Sequence, residues 1–341
     1  MRAVETGNLG TALVFGVVPA AILLAVLYWL DRYEKEPSRL LAFALAFGAI
    51  AAPAIAVAVQ SMLDVPTSVA LQSTVTFSRL NATTPIVEEI VKALAVLAVF
   101  WLVRREVDGP LDGLVYGGAV GIGFGLAVNF MAILTTPSLG IDTGASLTSA
   151  TVAGFNHVFY AGLVGFALAV ARDRSTSGLI GAWAVGAAAA VGAHLLHDYL
   201  PSWVAGAAEG TGAGGTFLTA LPNALGLVAL AVLFSWSAAR DSKVVAEELR
   251  DEVTAGYVTA EDYATVTDPW KRFSTLAGAL FDARSWKLRR KLYALEIELA
   301  YRKRRGGSGA KPGRAKPDTF RQEILEARQA LEAEESQAAA R

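Results

Sequence analysis

Residues 113–134 read GLVYGGAVGIGFGLAVNFMAIL, an apolar run without a charged side chain and with glycine at 117, 121 and 125. A helix needs about 20 such residues to cross the hydrocarbon core of a bilayer, so the run predicts a transmembrane helix. The glycines recur every four residues and form a small-residue stripe along which another helix can approach closely. Gly121-Ile122-Gly123-Phe124-Gly125 has the outline of a nucleotide-binding loop. No strand precedes it and the run is long enough to span, so that reading is rejected.

Six further stretches have the same character: 10–30, 40–60, 85–103, 146–171, 178–200 and 216–237. The expected fold is therefore an all-α polytopic bundle of about seven spans over residues 1–239, followed by a helical cytoplasmic tail over 240–341. Composition agrees. Of 341 residues, 54% are hydrophobic and 18% charged, against about 25% charged in soluble domains. Charges are sparse up to about residue 239 and dense after it, which implies two solvents. A net charge of −1 points to no nucleic-acid partner, and the absence of cysteine excludes disulfides, thiolate metal sites and a cysteine nucleophile. Only one Arg and one Glu precede the first run, which is long enough to span, so it reads as a first transmembrane helix and not as a cleaved signal peptide. The weakly apolar loop 61–84 suits a short surface helix.

Basic residues set the orientation. Arg32, Lys35 and Arg39 follow the first span, Arg104 and Arg105 the third, Arg172 and Arg174 the fifth, and Arg240 and Lys243 open the tail. The other side holds only Arg2 and Arg79. This alternation predicts a multi-pass protein of the cell membrane with its N-terminus outside and its tail inside. Asn81-Ala82-Thr83 is a glycosylation sequon on the outer loop, too close to the third span to weigh much. In the tail, Thr259-Ala260-Glu261-Asp262 suits a capped helix start. Leu288, Leu292, Leu295 and Leu299 form one apolar face. Phe320, Ile324, Ala327 and Leu331 form another, after a Gly/Pro/Lys linker at 306–317. A helical hairpin is expected, with a docking or regulatory role.

Ionisable groups inside a span are costly and survive by pairing, lining a water-filled cavity or performing chemistry. Here they are few: Glu88, Glu89 and Lys92 in the third span, Asn129 in the fourth (polar, not ionisable), Asn156 and His157 in the fifth, His194, His197 and Asp198 in the sixth. All three histidines of the chain lie in spans, and imidazole suits proton transfer near neutral pH and metal ligation. With the predicted orientation and a rise of about 1.5 Å per residue, these groups fall within roughly 3–18 Å of the outer surface. One water-containing cavity open to the outer face follows. His194 and Asp198 are one turn apart, as are Glu88 and Lys92, while Glu89 points about 100° away from Glu88. A carboxylate in such a setting is suited to activating water as a general base.

These residues resemble the PrsW-type intramembrane protease family, itself related to the type II CAAX prenyl endopeptidases. The resemblance begins at Asp31-Arg32-Tyr33-Glu34-Lys35-Glu36-Pro37. It continues through Pro85-Ile86-Val87-Glu88-Glu89-Ile90-Val91-Lys92, which is similar to the family's Glu-Glu-x-x-Lys segment. Then come Asp112 to Gly117, Gly121 to Phe124, His157 with Gly162 and Gly165, and His194-Leu195-Leu196-His197-Asp198. It covers about residues 20–200. It implies hydrolysis of a peptide bond in a membrane-anchored protein from the outer side. Two positions depart from the family pattern: Val128-Asn129 stands where a Glu-Asn pair is usual, and Asp198 stands where Asn is frequent. An ionised Asp198 cannot donate to an oxyanion.

The reading that follows has Glu88 or Glu89, with His157, activating a water; His194 and Asn129 stabilising the oxyanion; and Lys92 tuning the glutamates. No cofactor is favoured. A zinc version would use His157, His194 and either His197 or Asp198 as ligands with a glutamate as base, although no His-Glu-x-x-His sequence is present. Two other classes fit the same residues: a non-catalytic membrane receptor or scaffold, favoured by Val128 and Asp198, and a proton-coupled transporter, disfavoured by the lack of an internal repeat. The expected partners are the lipid bilayer and a membrane-anchored protein substrate.

Overall fold

A computed structural model describes residues 6–31, 36–63, 82–104, 106–107, 109–135, 143–207, 213–279, 282–306 and 317–339. The sequon at Asn81, the basic residues Arg2, Arg32, Lys35, Arg79 and Arg105, and nearly all of the loop 61–84 and of the linker 306–317 lie outside the described residues.

Every regular element among the described residues is helical. The order is α1 (Thr6–Ala12), a π-helical stretch (Leu13–Val17), α2 (Val18–Leu30), α3 (Ser38–Met62), α4 (Thr83–Val103), α5 (Pro110–Thr135), α6 (Thr143–Val170), α7 (Thr176–Ala207), α8 (Ala213–Thr254), α9 (Ala260–Val266), α10 (Pro269–Gly278), α11 (Ala283–Gly306) and α12 (Pro317–Ala339). A helix bonds its own backbone polar groups, as an apolar solvent demands. The π-helical stretch lies where Pro19, which has no N–H, cannot donate to the carbonyl of Phe15.

Four helices are long and apolar enough to cross a membrane, among the described residues: Leu9–Leu30, Ser38–Met62, Pro110–Met131 and Thr176–Tyr199; a shorter apolar helix covers Asn156–Val170. The other expected spans fall on helices too. α4 carries Glu88, Glu89 and Lys92, and α8 runs past residue 237 without a break to Thr254. Residues 238–254 hold neither Gly nor Pro and include three Ala, three Glu and two Arg, all good helix formers. Gly256, with φ of +82°, ends the run, and the amides of Tyr257 and Val258 return to the carbonyl of Glu252.

The described residues from Thr6 to Phe234 form one compact unit and those from Ser235 onward another. In the first, α5 is the central helix. On one side Gly113, Gly117 and Gly121 abut the backbone of α6 at Gly165, Ala161 and His157, and a Cβ at any of them would overlap those main-chain atoms. On the other side Gly123 meets the backbone of α3 at Leu45, and Gly48 of α3 meets Val120. The close-packed row toward α6 therefore begins one turn earlier than the 117–121–125 stripe of the sequence.

In the second unit α11 and α12 pack together, with Leu292, Leu299, Phe320, Ile324, Ala327 and Leu331 buried and Leu288 and Leu295 packed at the edge. Val244, Val245 and Leu249 from the end of α8, with Val258 and Val266, complete this core. Thr259 caps α9 by accepting from the Asp262 amide at 3.0 Å. Glu252 is buried and accepts two hydrogen bonds from Arg321, at 2.7 and 2.9 Å, and lies 2.9 Å from Lys303.

Candidate functional site

The site is built on α4, α5, α6 and α7. Glu88, Glu89 and Lys92 occupy consecutive turns of α4, and all three are buried. Glu89 is the hub. Its Oε1 accepts from the Lys92 ammonium at 2.5 Å and from His194 Nδ1 of α7 at 2.6 Å. Lys92 in turn donates to His157 Nδ1 of α6 at 2.9 Å. A buried ammonium costs several kcal/mol to desolvate. Here it is met by a carboxylate, an imidazole nitrogen and the face of Phe124, whose ring centre lies 4.5 Å from Nζ.

The hydrogen bonds fix the imidazole roles. An ammonium has no lone pair, so His157 Nδ1 is the acceptor and its proton sits on Nε2. A carboxylate accepts, so His194 carries a proton on Nδ1. The two rings are 6.0 Å apart and nearly perpendicular. His194 Nε2 lies 3.7 Å from Asp198 Oδ2, one turn along α7. Tyr160 stacks on His194 with centres 4.9 Å apart. Trp183 donates to the carbonyl of Ala93 at 2.9 Å and pins α7 to α4 beside Lys92.

Most residues singled out from sequence converge here: Glu88, Glu89, Lys92, His157, His194 and Asp198. Lys92 forms its ion pair with Glu89, three residues away, although Glu88 also lies one turn from it. Both spacings are allowed on a helix surface, and the position of His157 and His194 decides between them. His197 turns aside: its Nε2 accepts from the Asn156 amide at 3.2 Å. Asn129 is half-buried on α5, five residues beyond Phe124. Val128, at the first departure from the pattern, is buried. Sequence reading missed Tyr160 and Phe124, which look like core aromatics in an apolar run. The available signal was that Tyr160 falls three residues after His157, on the same helix face.

One carboxylate oxygen of Glu88 and one of Glu89, both Oε2, are buried without a hydrogen-bond partner among the described residues. Such atoms are uncommon in folded proteins. Two of them beside an ammonium and two imidazoles gather acceptors and donors suited to binding and polarising a small polar group.

The sequence model for the PrsW family intramembrane metalloproteases matches residues 36–238, more than half of the chain. The chain belongs to the PrsW family. It is thus a membrane protein of a peptidase family whose substrates are membrane proteins. The matched stretch contains every residue of the cluster described above. No curated protein and no solved structure matches the chain.

The description of the PrsW family as metalloproteases makes a metal possible. The donors in this arrangement do not fit one. No group of three or more His, Asp or Glu side chains converges as a metal site among the described residues. His157 Nδ1 and Glu89 Oε1 are both engaged by the Lys92 ammonium, so neither atom is free to ligate an ion.

Proposed function

We propose that this PrsW-family chain hydrolyses a peptide bond of a membrane-anchored protein near the outer face of the membrane, with water activated by glutamate and histidine. The observation that carries the reading is the buried chain of contacts His194–Glu89–Lys92–His157, with Glu88 beside it. A general base needs an acceptor oxygen not already committed to a cation. Both glutamates keep an unpartnered Oε2, but Glu89 is tied through Oε1 to Lys92 and His194, so Glu88 is assigned as the base. It takes a proton from water as the water oxygen bonds to the scissile carbonyl carbon, then delivers that proton to the departing amine as the C–N bond breaks. His157 presents Nε2–H to the water or the carbonyl oxygen, and Lys92 holds that tautomer. His194, as the imidazolium with Nδ1–H on Glu89 and Nε2–H free to donate, serves the oxyanion together with Asn129. Glu89 orients Lys92 and His194.

The test is co-expression with single-span membrane proteins. A cleavage product made by the wild type and absent with Glu88→Gln supports the assignment; equal product from both overturns it. A second reading, a non-catalytic receptor or scaffold, is favoured by the buried apolar Val128, where the resemblance expects a carboxylate, and predicts no product from either.

A further inference from the structure

The second unit carries a feature that peptide hydrolysis does not use. Residues 269–291 hold seven basic side chains and one acidic, Asp282. In α10, Trp270 is 69% exposed and Phe273 42% exposed, and their rings pack edge to face 6.4 Å apart. Single exposed aromatics are ordinary. Two of them packed together on a helix whose other side buries Arg272 form an apolar spot facing water. Lys271 is exposed between them.

The neighbouring α11 buries Leu292, Tyr293 and Leu299 and exposes Arg284, Lys287, Arg290 and Lys291. Arg284 pairs with Glu334 at 2.9 Å. Lys287 has Arg290 three and Lys291 four residues ahead of it, so these like charges adjoin and repel. That repulsion is relieved by an anionic surface laid against the stripe. A helix with lysine and arginine on its polar side and tryptophan and phenylalanine beside them is suited to the headgroup layer of a bilayer. The chain tethers this unit to the spans, so the surface needs little affinity of its own to be occupied.

We propose that α10 and the exposed stripe of α11 form a docking surface for an anionic bilayer. Trp270 and Phe273 enter the headgroup region, and Lys271, Lys287, Arg290 and Lys291 pair with lipid phosphates. The occupant is the membrane surface and not an acidic protein segment, because the aromatic pair calls for an apolar layer beneath the charges.

The protein has no cysteine, so one environment-sensitive fluorophore can be attached at Ser274→Cys, beside Phe273, in the full chain, with Gln322→Cys on α12 as the reference position. The labelled protein is reconstituted in vesicles of phosphatidylcholine alone and of phosphatidylcholine mixed with phosphatidylglycerol. The expected result is a blue-shifted label at 274, shielded from an aqueous quencher, only with phosphatidylglycerol and at low salt, while the label at 322 stays aqueous. Lys287→Gln with Lys291→Gln should weaken docking about 30-fold, from the attraction typical of each basic residue at an anionic surface. A label at 274 equally water-exposed in both lipids overturns the proposal. So does shielding that appears only when an acidic polypeptide such as polyglutamate is added, which would make the partner a protein. The lipid comparison needs no charge substitution, so a misfolded double variant cannot obscure the answer.

Discussion

Glu89 and His194 stand 105 residues apart in the chain, yet share a 2.6 Å hydrogen bond between two buried side chains. The same carboxylate oxygen holds Lys92, so three formal charges or potential charges depend on one atom. Removing one member of a buried ionic set leaves the others uncompensated, which costs about 3–5 kcal/mol.

Glu89→Gln should therefore lower stability by about that amount and abolish activity. Glu88→Gln should abolish activity while leaving the melting temperature nearly unchanged, since Glu88 has an oxygen with no partner to lose. Thermal unfolding in detergent, run beside the cleavage assay, separates the two. A stable Glu89→Gln protein would contradict the hub role.

The seam between α5 and α6 makes a second prediction. A Cβ at Gly121 would overlap the carbonyl oxygen of His157, and backbone cannot step aside as a flexible side chain can. Gly121→Ala should destabilise by about 1–3 kcal/mol, in the range of overpacking, and displace His157 from Lys92. Gly181→Ala, where nothing lies within 4 Å, should be neutral or gain up to about 1 kcal/mol of helix propensity. Melting curves of the two variants check both.

Much of the site was legible in the sequence because the hydrocarbon solvent leaves so few reasons for a charge. Glu88, Glu89, His157 and His194 were expected at similar depth along their predicted spans, and Glu89 and His194 do meet. Depth does not fix azimuth, however, and azimuth decides that Lys92 takes Glu89 and that His197 turns to Asn156. Tyr160 and Phe124 were hidden because an aromatic in an apolar run is ordinary. The hairpin of α11 and α12 was legible from two apolar faces. The contribution of Val244, Val245 and Leu249 to the same core was not, since their charged neighbours resemble any solvated helix.

The second unit should respond to pH through two carboxyls of opposite behaviour. Burial pushes the Glu296 carboxyl well above its usual range, with Asp262 nearby adding to it and Arg328 opposing. A raised native value favours the protonated form, so its stabilising contribution is whole below about pH 4, the unfolded value, and is lost as pH rises toward the folded one. Burial alone would raise Glu252 as well, but its hydrogen bonds to Arg321 and Lys303 outweigh burial and hold it below the usual range. Its contribution is present above about pH 4 and is lost as pH falls through its folded value. Glu296→Gln should thus gain stability over the wild type progressively as pH is raised above about 4, until the folded value is reached. Urea unfolding of the full chain, followed by a fluorophore at an engineered cysteine in α12, reads this directly. A gain independent of pH would refute it.

Orientation is tested by reporters. A fusion after residue 240 should read as cytoplasmic and an insertion near 208 as external. Both on one side would remove the shared outer layer and the proposed site of cleavage with it.

Metal removal is the fifth test. With Lys92 seated between Glu89 and His157, chelation should leave the cleavage rate unchanged, and elemental analysis should find no stoichiometric zinc in the purified protein. One zinc per chain, required for turnover and restored by add-back, would replace the proposed mechanism while leaving the family assignment intact.

The glycine rows of α5 bear on how a substrate arrives. Main chain lies against main chain on both flanks of this helix, at Gly121 toward His157 and at Gly123 toward Leu45. A membrane-embedded peptide could part α5 from α6 or α3 only by prising open the tightest seams in the bundle. Entry from the lipid is cheaper where side chains face outward and can rearrange, and α7, with Ile180, Val185 and Leu196 exposed, is such a flank, carrying His194 on its inner side. The same packing that holds His157 in place thus closes both flanks of α5 to an entering peptide, and leaves the faces lined by side chains as the way in.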